Sequence, residues 1–195
     1  PHLKCGVPKG TREFESHPFR FVREKLRSRR RPSSMNLIKE LKSKNILKFG
    51  DFTLRSGIKT HYYCDIKEAF GDPKLLTLFT TELAKLVPKN TTCIAGSGYG
   101  GITLSSIVAY KLKLPLVLVR DKIKDHGTKK SIDGYIPTSK DRVCIIDDVF
   151  TTGSSIRDTK ERLTVTKAKF TRSIVVINRS NNKKVLSLVN NQDLA

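Results

Sequence analysis

The sequence lacks the features of several classes of protein. It has no tryptophan, one methionine and four cysteines among 195 residues. No apolar run approaches the roughly 20 residues of a membrane-spanning helix, and the first residues lack the apolar segment of a secretory signal. With 195 residues, of which 37% are hydrophobic, the chain is large enough for one well-packed domain. These properties predict a soluble protein and argue against a membrane protein or two large domains.

The cysteines are widely spaced and form no Cys-x-x-Cys pair. Three lie within apolar or aromatic segments, Cys64, Cys93 and Cys144, and the fourth is Cys5. This pattern favours buried free thiols in a reducing compartment over a disulfide or a zinc site. We therefore expect a cytoplasmic protein with no metal site of its own.

Acidic residues are scarce, since 18 of them face 38 basic residues and leave a formal net charge of +20. The densest basic patch is "REKLRSRRRPSS" at residues 23–34. Such a patch can bind nucleic acid nonspecifically, but no nucleic-acid-binding motif accompanies it. A basic domain also attracts small phosphorylated molecules. The sequence favours the second interpretation and leaves nucleic-acid binding as the minor alternative.

The chain divides into a basic N-terminal arm, residues 1–34, and a folded domain, residues 35–195. Met35 opens a predicted amphipathic helix, with apolar residues on one face at Leu37, Ile38 and Leu41. Three interpretations of the arm stay open: an upstream extension, an expression remnant and a disordered segment.

Apolar runs alternate with helical patterns in the domain. A hairpin is predicted at residues 49–66, and a helix at 73–87 begins with Pro73 after Asp72. Further strands are predicted at 91–96, 114–119, 142–147 and 173–178, with helices at 102–112 and from Ser154, and a polar loop at 120–134. Continuously apolar strands separated by helices predict a doubly wound, mostly parallel sheet with helices on both faces.

Ligands of such sheets bind at the carboxyl ends of the strands. The segment "GSGYGG" at residues 96–101 follows one predicted strand and precedes a helix. Its amides could bind an anion, or it could form an ordinary tight turn, and the sequence leaves both possibilities open. It is not a Walker loop, because no Gly-Lys-Ser/Thr follows.

The segment "VCIIDDVFTTGSS" at residues 143–155 carries the most specific signal. A predicted strand ends in two carboxylates, Asp147 and Asp148, and a loop rich in hydroxyl groups and amides follows. Carboxylates are good acceptors for a pair of sugar hydroxyls, and the loop suits a terminal phosphate. The pattern therefore predicts a site for a ribose phosphate.

This segment resembles the motif by which type I phosphoribosyltransferases bind phosphoribosyl pyrophosphate (PRPP). Other segments are similar, in order and spacing, to the orotate phosphoribosyltransferases: "FTLRSG" at 52–57, the tyrosines of "THYYCD", "RDKIKDHG" at 120–127, "VVINR" ending at Arg179, and "VLSLVNNQDL". The resemblance covers about residues 36–194 and leaves out the basic arm. It implies the fold of that family, with a small N-terminal hood on the sheet.

The resemblance also implies roles for individual residues. Asp147 and Asp148 would hold the ribose hydroxyls, and the next loop would hold the 5′-phosphate through Thr151, Thr152, Gly153, Ser154 and Ser155. A mobile catalytic loop would carry Arg120, Lys124 and His126. Arg179 would face the orotate carboxylate. The remaining substrate-binding positions are Arg55, Tyr62, Tyr63, Tyr99 and Gly100.

The implied activity is a magnesium-dependent pentosyltransferase, a glycosyltransferase, that converts orotate and PRPP into orotidine 5′-phosphate and pyrophosphate in pyrimidine synthesis. Magnesium would bind mainly through PRPP, and a homodimer would share its catalytic loops. Two departures stand out, since Asp121 and Gly100 occupy positions where the family commonly has lysine. Two alternatives stay open: transfer to another base, and a noncatalytic PRPP or nucleotide sensor with a nucleic-acid-binding arm.

Overall fold

The computed structural model describes residues 34–53, 59–121, 131–180 and 182–194. Except for Ser34, the predicted basic arm lies outside this part of the chain. The described helices are α1 (Ser34–Ser43), α2 (Pro73–Leu86), α3 (Gly98–Leu112) and α4 (Ser154–Leu163). The strands are β1 (Leu47–Thr53), β2 (Lys59–Cys64), β3 (Cys93–Ser97), β4 (Leu116–Val119), β5 (Ile132–Gly134), β6 (Arg142–Phe150), β7 (Lys169–Asn178) and β8 (Val185–Asn190).

Six strands form the central sheet in the order β5-β4-β3-β6-β7-β8. Five of them run parallel, and only the short edge strand β5 is antiparallel to its neighbour β4. Helix α3 connects β3 to β4, and α4 connects β6 to β7. The predicted α/β fold with a mostly parallel sheet is therefore confirmed, and the carboxyl ends of β3 and β6 lie side by side.

Alternate residues of β6 belong to two separate hydrophobic cores. Cys144 and Ile146 pack in a core that contains the buried residues of α2 and α3. Val143 and Ile145 pack in a second core with Ile156 of α4. Successive strand residues point to opposite faces, so the sheet has α2 and α3 on one face and α4 on the other.

Helix α1 and a separate two-stranded sheet form the N-terminal hood. Strands β1 and β2 pair antiparallel, as the hairpin prediction requires. The apolar face predicted for α1 is buried in the same core as α2. The hydroxyl of Tyr62 on β2 donates a hydrogen bond to Asn191 after β8, over 3.0 Å. These contacts fix the hood on the α2 face of the sheet.

The predicted start of α2 is confirmed, and several other boundaries differ from the predictions; β7, for example, begins at Lys169 rather than at residue 173. The Asp72 carboxylate accepts hydrogen bonds from the amides of Lys74 and Leu75, and it thereby caps α2. Helix α3 begins at Gly98 rather than near residue 102, and β6 continues three residues beyond the predicted end at residue 147.

A further difference is β5, which lies inside the predicted polar loop at 120–134. Pairing between strands explains two of these differences, because β6 stays paired with β7 as far as Phe150 and β5 pairs with β4. The local amino-acid composition does not indicate such contacts.

Within the described segments, none of the helices has the length and apolar character needed to cross a bilayer.

Candidate active site

A cleft of about 470 Å³ lies at the carboxyl ends of β3 and β6, between the first turns of α3 and α4. We call this cavity the cleft. Seven of the predicted site residues line it: Tyr99, Gly100, Arg120, Asp147, Asp148, Ser154 and Ser155. Its place at the carboxyl edge of the parallel sheet is where this class of fold binds ligands.

Asp147 lies at the base of the cleft and is only 6% exposed. One carboxylate oxygen accepts a hydrogen bond from the Ser155 hydroxyl at 2.8 Å, and the other accepts from the Asp148 amide at 2.9 Å. The sequence pattern had placed both carboxylates at the end of the strand, but β6 continues past them. Asp147 is therefore buried, and its hydrogen bonds tie β6 to the first turn of α4.

Burial, together with the neighbouring charge of Asp148, raises the pKa of Asp147 to about 7. The native protein thus keeps a proton that the unfolded chain loses near the ordinary aspartate pKa of 3.8. The contribution of Asp147 to stability is therefore largest at acidic pH and declines as the pH rises towards 7.

We expect this contribution to disappear in Asp147→Asn. Relative to that variant, the free energy of unfolding of the wild type should fall by about 1 kcal/mol per pH unit between about pH 5 and pH 7. Urea denaturation of both proteins across this range measures the difference. Parallel pH profiles would contradict the assignment.

Asp148 is partly exposed, and one of its oxygens accepts a hydrogen bond from the Val149 amide at 2.8 Å. The Lys67 ammonium lies 3.8 Å from its other oxygen and 2.8 Å from Asp65. The hydrogen bond to Asp65 is the main reason that the pKa of Lys67 is raised, so the ammonium stays charged. Sequence reasoning missed Lys67, because one lysine in a basic chain gives no distinct signal.

Gly100 allows α3 to approach Asp148 closely. A Cβ on Gly100 would lie 2.4 Å from the carboxylate carbon of Asp148, well inside contact distance. A larger residue at this position would therefore have to displace Asp148.

The loop after β6 turns sharply into α4 at Gly153, which has φ of 78°. A Cβ there would also lie 2.6 Å from the Phe150 ring, so both the backbone conformation and the available space require glycine. After this turn, α4 begins at Ser154, and the first residues of the helix, Ser154 and Ser155, lie beside the cleft. The Ser154 amide makes one long hydrogen bond, of 3.4 Å, to the Thr152 hydroxyl, and the first amides of a helix can bind an anion.

The other predicted phosphate-loop residues do not all face the cleft. Thr152 and Gly153 line a different cavity on the other flank of α4, and Thr151 is exposed.

A hydrogen bond of 2.8 Å between the hydroxyls of Ser97 and Thr159 joins the end of β3 to α4 across the base of the cleft.

Arg179 follows β7 and faces the hood. Its guanidinium donates a hydrogen bond to the Thr60 hydroxyl at 3.0 Å and lies 4.7 Å from the centre of the Tyr62 ring. Tyr62 is buried, whereas Tyr63 is 38% exposed and packs against Phe52. The two tyrosines are neighbours on one strand and so point to opposite sides. Of the two, Tyr62 is the one that contacts Arg179.

The mouth of the cleft carries Arg120, Asp121 and Arg162. The Arg120 guanidinium pairs with Asp133 at 2.6 Å, and Arg162 of α4 donates a hydrogen bond to the Asp121 carbonyl at 2.8 Å. Sequence reasoning missed Arg162, although its spacing from Ser155 fits the cleft-facing side of a helix. Three predicted residues, Arg55, Lys124 and His126, lie outside the described residues and stay predictions.

Two of the described cysteines, Cys64 and Cys93, are unsuited to act as nucleophiles. Burial raises the pKa of Cys64 to about 12 and that of Cys93 to about 11. Both thiols therefore stay protonated near neutral pH, where a thiolate would be required. Cys93 and Cys144 are buried and form no disulfide within the described residues, as the sequence predicted.

Residues 78–188 match the phosphoribosyl transferase domain family. Among curated proteins, the chain is 38% identical over 144 residues to "Orotate phosphoribosyltransferase" of Methanosarcina mazei, a match that covers 73% of this chain and 76% of that protein. It is 40% identical over 128 residues to "Uridine 5'-monophosphate synthase" of Caenorhabditis elegans, which covers 63% of this chain and 25% of that protein.

Solved structures of proteins with these two names also match this chain. The orotate phosphoribosyltransferase of Aeropyrum pernix matches with a TM-score of 0.69 and 27% identity, over 80% of this chain and 94% of that one. The UMP synthase of Leishmania donovani matches with a TM-score of 0.70 and 26% identity, over 84% of this chain and 38% of that longer one.

Proposed function

The chain belongs to the phosphoribosyltransferase family, and on that premise we propose that it transfers the phosphoribosyl group of PRPP to orotate, giving orotidine 5′-phosphate and pyrophosphate. The observation that carries this proposal is the pair Asp147 and Asp148 beside the N-terminus of α4 in one cleft. The activity makes the protein a glycosyltransferase of pyrimidine nucleotide synthesis.

The cleft suits the two ends of a ribose phosphate. The carboxylates of Asp147 and Asp148 are acceptors for ribose hydroxyls, and the amides of Ser154 and Ser155 can hold the 5′-phosphate at the start of α4. Lys67 adds a fixed positive charge on the other side of Asp148. These groups position the anomeric carbon, which is how such a site accelerates a displacement.

Arg179 is the candidate partner of the orotate carboxylate. Its planar guanidinium can donate two parallel hydrogen bonds to a carboxylate, and its contacts with Thr60 and Tyr62 hold the side chain in place. Tyr62 adds an aromatic surface beside this cation. We therefore infer that the base binds between β2 of the hood and the end of β7.

Magnesium fits this site as an ion bound mainly by PRPP. Within the described residues, no group of three or more His, Cys, Asp or Glu side chains could hold a metal, but Asp147 and Asp148 lie beside the expected diphosphate. Mg²⁺ commonly binds through one or two carboxylates together with substrate phosphates. When bound, it would neutralise charge on the leaving pyrophosphate.

The resemblance supports three further parts of the proposal. Lys124 and His126 act from a catalytic loop that covers the site and contacts pyrophosphate. The protein is a homodimer in which this loop reaches the neighbouring subunit, and it works in the cytoplasm. Sedimentation analysis tests the dimer, because a monomer that is fully active would contradict a shared loop.

We expect orotate to be the preferred base. Incubation of the protein with PRPP, magnesium and a panel of orotate, uracil, adenine and hypoxanthine should release pyrophosphate fastest with orotate, since only orotate carries a carboxylate for Arg179. A clear preference for one of the other three bases would contradict the proposal and favour a phosphoribosyltransferase of different specificity.

The alternative of a noncatalytic sensor rests on Asp121. Both oxygens of its carboxylate lie within 3.8 Å of the position that a Cβ would take on Gly98, the first residue of α3. A negative charge at a helix N-terminus occupies a place that favours anions. It would oppose the binding of a negatively charged diphosphate there.

We expect Asp121→Lys to raise the forward rate about tenfold. The substitution replaces a negative by a positive charge near the leaving group, and about 1.4 kcal/mol less barrier corresponds to a tenfold faster reaction. Single-turnover kinetics with orotate measure the change, and Asp158→Lys, in the same cleft on α4, is the matched control. A variant that is no faster than wild type would contradict this role of Asp121.

A further inference from the structure

A second cavity lies on the flank of α4 that faces away from the cleft. We call it the groove; it has a volume of about 630 Å³ and runs between α4 and strands β7 and β8. The cleft is bordered by Ser155, Thr159 and Arg162 of α4, and the groove by Ile156 and Lys160 of the same helix. One helix thus separates two cavities, and the proposed reaction uses only the first.

The floor of the groove is apolar. Phe150, Ile156 and Val185 are each less than 9% exposed and line it. Phe170 at the rim keeps 36% of its surface exposed, and the Lys160 ammonium lies 5.8 Å from the centre of its ring. An apolar floor beside an accessible aromatic ring favours a flat, unsaturated ligand over a fully hydrated ion.

The lining is also strongly basic. The charged residues of the lining are one acid, Glu161, and four basic residues: Arg157, Lys160, Arg172 and Lys184. Nearby like charges repel one another and favour an anion that neutralises them. The groove therefore combines an apolar surface with an excess of positive charge.

Ser173 supplies an independent indication of a ligand. This residue of β7 lines the groove and is 4% exposed. Within the described part of the chain, its hydroxyl has no hydrogen-bond partner. Leaving a buried hydroxyl unpaired is costly, and such groups are few in native proteins. A polar atom of a ligand in the groove would satisfy it.

We propose that the groove binds a nucleoside phosphate. The base covers the apolar floor beside Phe170, the phosphate lies among the basic side chains, and a polar atom of the sugar or base pairs with Ser173. Inorganic phosphate would leave the apolar floor exposed. The volume lies within the range typical of small-molecule pockets, which favours one nucleotide over a nucleic-acid strand.

Titration calorimetry with adenosine 5′-monophosphate tests this site. To separate the groove from the cleft, each titration is repeated in the Asp147→Asn/Asp148→Asn background, where binding should persist. Adenosine and inorganic phosphate are the comparison probes, and each should bind at least tenfold more weakly than the nucleotide. Equal binding of inorganic phosphate would overturn the proposal in favour of a simple anion site.

Ser173→Ala separates a ligand role from a structural one. The variant should bind adenosine 5′-monophosphate about fivefold more weakly, whereas its melting temperature should be equal to or higher than that of wild type, because an unpaired buried hydroxyl has been removed. Lys160→Glu should weaken binding at least tenfold. Lys74→Glu makes the same charge change on α2, on the opposite face of the sheet, and should have little effect.

Unchanged affinity in both Ser173→Ala and Lys160→Glu would overturn the proposal. Loss of adenosine 5′-monophosphate binding in the Asp147→Asn/Asp148→Asn protein, which carries no substitution in the groove, would also overturn the proposal, because the nucleotide would then occupy the cleft. A short single-stranded RNA that binds the groove more tightly than the mononucleotide, with the same sensitivity to Lys160→Glu, would show that the ligand is a nucleic acid instead.

Discussion

Asp147→Asn combined with Asp148→Asn should lower kcat/KM for PRPP by about a hundredfold or more. Each carboxylate is proposed to accept a hydrogen bond from a ribose hydroxyl, and the assay is run above pH 7, where Asp147 is ionised. A hydrogen bond to a charged group contributes about 1.5–3 kcal/mol. The loss of two such bonds removes at least about 3 kcal/mol, which corresponds to two powers of ten. Steady-state kinetics and calorimetry with PRPP measure the loss.

The fold should survive this change. In the Asp147→Asn side chain, the remaining oxygen can still accept a hydrogen bond from the backbone amide of residue 148, and the new amide group can donate to the Ser155 oxygen. The link between β6 and α4 therefore remains possible. The matched control is Asp51→Asn, because Asp51 is an exposed residue of the hood that pairs only with His61 among the contacts observed there. Undiminished PRPP affinity in the folded double variant would remove the ribose-binding role.

Arg179→Ala should raise the KM for orotate about tenfold to a hundredfold and change the KM for PRPP far less. The expected magnitude is that of a charge-assisted hydrogen bond, about 1.5–3 kcal/mol. Arg179→Lys should recover part of the loss, because it restores the charge without the planar pair of donors. Kinetics at saturating PRPP measure both variants.

Arg142→Ala is the control for Arg179→Ala. Arg142 is an exposed arginine at the amino end of β6, the end of the sheet opposite the cleft. Its removal changes the net charge equally and should leave both KM values close to wild type. Unchanged orotate kinetics in Arg179→Ala would contradict the assignment, and an equal effect of the two variants would show that net charge alone is responsible.

The central sheet could be predicted because its strands are continuously apolar. Ile145 and Ile146, on opposite faces of β6, are both buried, so the sequence pattern of a strand covered on two faces was reliable. The carboxylate pair could be found for a related reason. Two acids directly after such an apolar run are exceptional, and they lie at the edge of the sheet where ligands bind.

The rest of the cleft depends on contacts between distant residues. Lys67 contacts Asp148 from a segment about eighty positions earlier in the chain, and no local sequence pattern indicates that contact. The start of α3 was missed because Gly98 and Gly100 have poor helix propensity, whereas the close packing of this turn on Asp148 requires a residue without a side chain. Tertiary packing here outweighs local preference.

The most direct test of the proposed function follows labelled orotate in the presence of PRPP and magnesium. The proposed function predicts that the label appears in orotidine 5′-phosphate, that one pyrophosphate is released for each nucleotide formed, and that the Asp147→Asn/Asp148→Asn protein forms it at least about a hundredfold more slowly. Binding of PRPP without any labelled nucleotide, or release of pyrophosphate at the same rate with and without orotate, would contradict it.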